Sequence, residues 1–197
     1  MRAPALALVK ILILALAHMI LAHDAVAEPV NPLRLGAATG DIPSEMALAD
    51  AYVQGAGVPQ SDANAVGWWA RAAAQGHAPA YLLVAQAYHD GRGVAKDLDT
   101  AMRWFEKSAA TGNTTALNEL AWHTMERGGD LDRALTLVNQ ALAAQPENSH
   151  YLDTKACILQ KLHHRHHEAY ALLKKAHTLS PQDQDVQAHL SYSERHH

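Results

Sequence analysis

From residue 44 onward the chain reads as short amphipathic blocks separated by small turns. Within each block the apolar positions return three to five residues apart, the period of a helix face and not of a strand. Ala65, Trp68 and Ala72 form one such stripe, and Ala101, Trp104 and Ser108 form another. Ser44 is placed to cap a helix that runs to about Gln54, where Gly55-Ala56-Gly57 breaks the pattern. Ser61 or Asp62 then opens a second helix, which runs to about Gln75 and stops at Gly76. The pattern predicts paired helices and no strand.

The blocks repeat. Shifting the sequence by 36 residues pairs Tyr52 with Tyr88, Gly55 with Gly91, Gly57 with Gly93, Val58 with Val94 and Trp68 with Trp104. Ala65, Ala73, Ala80 and Gly76 find Ala101, Ala109, Ala116 and Gly112 in the same register. The glycine pairs could cradle a phosphate, but such loops follow a strand and open a helix. These follow helices, so they read as corners between two helices. A second spacing appears further on: Ala134 pairs with Ala169, Ala141 with Ala176 and Pro146 with Pro181, at 35 residues.

The motif A-x-x-Y-x-x-G-x-G-V, followed by an alanine seven residues on and then by tryptophan, resembles the Sel1-like repeat. Two copies fall at about Ser44–His77 and Ala80–Asn113. The segments Asn118–Asn148 and Tyr151–Asp183 resemble tetratricopeptide repeats. They depart from that pattern at Lys155, a usually apolar position, and at His166-His167, where small residues normally turn the chain. The resemblance implies an all-α, α/α solenoid, a right-handed superhelix of helix-turn-helix units. Its expected organisation is a signal peptide over 1–27, an extended lead-in over 28–43 containing Pro29 and Pro32, two Sel1-like repeats over 44–113, two tetratricopeptide-like repeats over 114–182 and a closing helix over 183–197. Tyr192 and Leu190 are expected to cover the last exposed face.

The first residues carry their own message. Arg2 and Lys10 precede or flank the apolar Ile11–Ala22, and Ala25-Val26-Ala27 supplies the small residues of a cleavage site. Lys10, His18 and His23 interrupt the apolar run, so cleavage after Ala27 is favoured over a kept membrane anchor. The mature chain is expected in the periplasm or outside the cell, without insertion into the membrane. Export makes the single Cys157 informative: no internal disulfide can form, and its apolar surroundings read as burial. The formal charge of −4 offers no basic footprint for nucleic acid.

Catalytic motifs are missing. There is no G-x-S-x-G, C-x-x-C or Walker loop, and "HEAYA" at His167–Ala171 lacks the second histidine of a zinc protease. No enzyme activity and no cofactor are expected. His163, His164, His166 and His167 form the one conspicuous histidine run; on a helix they would have a workable metal spacing, but the repeat register puts them on a turn. Setting Ala49, Ala85, Ala121 and Ala156 as equivalent packing positions, the resemblance implies an inward, concave face on the first helix of each unit. That face carries Met46, Asp50, Gln86, His89, Asn118, Trp122, Met125, His150, Asp153 and Gln160. Polar groups beside an aromatic suit recognition of a protein or peptide segment. The expected function is a non-catalytic adaptor; metal binding by the His163–His167 run is the alternative.

Overall fold

A computed structural model describes residues 30–162 and 165–195, apart from the side chain of Asn31. The described residues form helices and turns throughout, with no strand. In chain order the helices are α1 (Val30–Ala38), α2 (Ile42–Gln54), α3 (Asp62–Ala74), α4 (Ala78–Asp90), α5 (Leu98–Ala110), α6 (Thr114–Glu126), α7 (Leu131–Ala144), α8 (Ser149–Lys161), α9 (His166–Leu179) and α10 (Gln184–Arg195). None is long and apolar enough to cross a membrane.

Side-chain caps start most of these helices. Ser61, Asp97, Asn113, Asp130 and Asn148 each accept a hydrogen bond from a backbone N–H in the first turn of the helix they open. This satisfies donors that have no partner inside the helix. The glycine corners behave as expected. Gly55 takes a left-handed φ of 70° and its N–H reaches the Ala51 carbonyl, closing α2. The same corner bond recurs in both copies: Ser61 N–H donates to the Tyr52 carbonyl, and Asp97 N–H to the Tyr88 carbonyl, each at 2.9 Å.

Two compact units emerge: residues 30–80 with 92–94, and residues 81–91 with the described chain from 95 onward. In the first, Val30, Ala37, Leu48, Ala51 and Val58 form a buried cluster with Tyr52 and Trp68 packed on it. Glu45 is fully buried there, held by Gln75 at 2.8 Å and the Arg71 guanidinium at 3.2 Å. In the second, Phe105 is buried with Ala101, Ala116 and Leu120. Further along, Met125, Val138, Tyr151 and Ile158 anchor another cluster. Ala49, Ala85, Ala121 and Ala156, the four expected packing positions, are all fully buried, as are Ala134, Ala141, Ala169 and Ala176.

Several expectations need correction. The lead-in is helical over Val30–Ala38, not extended. Pro32 sits in its first turn, where a missing N–H costs nothing, and Arg71 ties the helix down by donating to the Ala37 carbonyl at 2.9 Å. Asp41, not Ser44, caps α2, accepting from the Ser44 N–H. The aromatic positions that fill the core are Trp69 and Phe105, again 36 residues apart, whereas Trp68 and Trp104 are only partly buried. Arg71 lies over Trp68 and Lys107 over Trp104, so these rings shield their own surface. On α10, Val186 rather than Tyr192 is buried against Leu152 and Ala176, and Tyr192 stays half exposed. His166 and His167 open α9 instead of lying on a turn, while Arg165 and Glu168 pair across its first residues. His163 and His164 lie outside the described residues, as does the expected signal peptide.

Candidate functional site

The second unit concentrates the chemistry. Asn113 caps α6 and Asn148 caps α8, which fixes where each helix begins and so which residues share a face. On α6 this sets Asn118, Trp122 and Met125 along one side, with Glu119, His123 and Glu126 one step round. On α8 it sets His150, Asp153, Cys157 and Gln160 in a row. His189 and Tyr192 come from α10.

Two cavities open between these helices. One, of about 600 Å³, is the more polar of the two and takes in His89, Asn118, Glu119, His123, His150 and Asp153. The other, of about 530 Å³, is lined more by apolar groups, among them Met125, Cys157, Gln160 and Tyr192. Trp122 and His189 line both, so the cavities adjoin through them. Their rings lie 6.1 Å apart between centroids.

The expected groove residues are thus partly brought together. His89, Asn118, Trp122, Met125, His150, Asp153 and Gln160 all line one cavity or both. Gln86, half-buried on α4, lines neither, and Met46 and Asp50 stand on α2 in the first unit. Glu119, His123, Cys157 and His189 were missed. The i, i+4 spacings Glu119–His123 and Asp153–Cys157 were legible as shared helix faces. His189 had no such signal, because its partner lies 36 residues away on another helix.

Asp153 and His189 form the most strongly coupled pair. The His189 Nδ1 sits 2.9 Å from both Asp153 oxygens. That bond, with a second to Cys157, pushes the imidazole up to about 10 against its ordinary 6.5, despite burial acting the other way. Burial pushes the Cys157 thiol up as well, outweighing the help it gets from His189. A nucleophilic thiol needs a thiolate and a neutral base. Here the thiol keeps its proton and the imidazole is already protonated, so the trio is an ion pair pinning α10 to α8, not an activated nucleophile.

A second trio lies across the polar cavity. His89 from α4 and His123 from α6 stand 5.0 Å apart between ring centroids. Glu119, one turn before His123, brings an oxygen to 3.8 Å from the His123 Nε2. Burial raises the Glu119 carboxyl, against the pull of His123 and His89. Among the described residues, His89–Glu119–His123 and Asp153–Cys157–His189 are the groups whose ligand atoms cluster within 4.8 Å. His166 and His167 join neither.

Comparison with known proteins agrees with the repeat register. The Sel1 repeat family model matches residues 42–77 and 78–113. No curated protein matches the chain in sequence. Among solved structures, a Sel1 repeat protein from Oxalobacter formigenes superposes with a TM-score of 0.65 at 20% identity, over 90% of this chain and 74% of that one. A protective antigen of uropathogenic Escherichia coli with an SLR fold gives a TM-score of 0.63 at 22% identity, over 77% of this chain. The match takes in only 33% of the antigen's own length. Sel1 repeats generally mediate protein interactions. The chain therefore carries two Sel1 repeats, over residues 42–77 and 78–113, in an all-α helical-repeat solenoid.

Proposed function

We propose that this chain is a non-catalytic adaptor, exported to the bacterial envelope, whose second unit seats a segment of a partner protein across α6, α8 and α10. The observation that carries the reading is the pair of adjoining cavities bridged by Trp122. An amphipathic segment would place an apolar side chain beside Met125 and Tyr192, and polar groups against Asn118 and His150. Trp122 then serves as the rigid aromatic anchor typical of such contacts. The signal-like segment 1–27 supports export, and the tetratricopeptide-like pattern of α6–α9 supports peptide recognition on this part of the chain.

Trp122→Ala is expected to weaken capture of the partner by about thirtyfold, the scale of an aromatic hot spot. Affinity purification from envelope extract with the wild-type chain, Trp122→Ala and an exposed control, Gln187→Ala, reads this directly. If all three recover the same proteins in the same amounts, the cavities are not the binding face.

A further inference from the structure

We infer that His89, Glu119 and His123 form a binding site for a divalent transition-metal ion of the zinc type. This goes beyond protein recognition and does not depend on it. Three observations carry it. First, one ring nitrogen of each histidine and one Glu119 oxygen lie within 4.8 Å of one another. A tetrahedral ion with bonds of about 2.1 Å holds its donors about 3.4 Å apart, so modest side-chain rotations close the set. Second, both imidazoles are already oriented by a carboxylate on Nδ1: Asp90 at 2.6 Å from His89, and Glu126 at 3.2 Å from His123. With Nδ1–H donated outward, Nε2 of each ring is the nitrogen left with a lone pair, the arrangement that prepares histidines for metal. Third, the His123 Nε2 is buried and has no hydrogen-bond partner. A buried ring nitrogen without a partner is costly unless something fills the position.

Two imidazoles and one carboxylate leave a fourth position facing the polar cavity, where water completes the shell. The Asp153–Cys157–His189 trio is the weaker candidate. Its carboxylate and imidazole already satisfy each other at 2.9 Å, and an ion would have to displace that bond together with the thiol proton. The His89 trio has no such internal bond to break.

Calorimetry of the purified mature chain with zinc, paired with absorption spectra of the cobalt-loaded protein, tests the site. One equivalent of zinc is expected to bind. His89→Ala and Glu119→Gln, both at partly exposed positions, are each expected to weaken it at least about tenfold, with unchanged melting of the metal-free protein. Cys157→Ser and the combined His163, His164, His166 and His167→Ala variant are expected to leave that equivalent intact. The cobalt spectrum should then lack the near-ultraviolet thiolate band. Absence of saturable zinc binding would overturn the assignment. So would zinc affinity that survives His89→Ala and Glu119→Gln, or a cobalt thiolate band lost with Cys157→Ser.

Discussion

Asp153→Ala is expected to cost on the order of 3 kcal/mol of stability near neutral pH, because it removes the carboxylate that holds the half-buried His189 in its protonated form. Asp153 is only 6% exposed, and both its oxygens face the His189 Nδ1. Water still reaches His189, whose side chain is 31% exposed, so the upper end of the buried-pair range is not expected. The sign of the pH dependence follows from the direction of the shift. The folded imidazole titrates at about 10 and the unfolded one near 6.5. The pair's contribution is therefore fully present below pH 6.5 and is lost as pH rises towards 10. Urea unfolding across that window should show a decline in the wild type that is flatter in Asp153→Ala and in His189→Gln. Asp153→Asn, which keeps an acceptor but no charge, should fall between. If wild type and Asp153→Ala decline in parallel, the pair does not set the alkaline limb.

The parts of this molecule written in local pattern were readable in advance. A fully buried alanine such as Ala85 or Ala121 tolerates nothing larger where helices approach closely, so it recurs at the repeat spacing and reveals it. The glycine corners were readable because left-handed backbone favours one residue type. Trp68 and Trp69 show the limit. They are neighbours on one helix, and a stripe broad enough to include either cannot decide which ring turns inward; only packing made Trp69 the core residue. The α1 helix was hidden because Pro29 and Pro32 signal extension except at the start of a helix, where proline is tolerated.

The candidate site divides in the same way. Asn118, Trp122, Asp153 and Gln160 follow from helix register, since residues three, four and seven apart share a face. His189 does not, and neither does the meeting of His89 with Glu119 and His123. His189 and His89 each meet their partners from a different helix, and a closing helix such as α10 is read from sequence as cover before anything else. The capping helix instead supplies His189, which faces both cavities, while His166 of the conspicuous histidine run lines the more apolar one.

Gly93→Ala is expected to be the most damaging single-methyl change in the first unit, at about 2–5 kcal/mol. Two effects add. Gly93 has φ of +72°, where any Cβ costs about 1–2 kcal/mol. That Cβ would also lie 2.4 Å from the Asp62 carbonyl carbon, 2.5 Å from its oxygen and 2.6 Å from the Ala63 nitrogen. All three atoms are backbone at the start of α3, so no side chain can swing aside and the helix itself must move. Overpacking of that kind adds about 1–3 kcal/mol. Gly76 in the same unit isolates the first effect: its φ is +89°, but nothing lies within 4 Å of an added Cβ. Gly76→Ala should therefore cost only about 1–2 kcal/mol. Thermal or urea melts of the two variants side by side separate the contributions. Equal losses would mean that the close approach of the Gly93 corner to α3 contributes nothing beyond backbone strain. The larger loss at Gly93 would show that the second glycine of this corner is required by the neighbouring helix, and not by the turn alone.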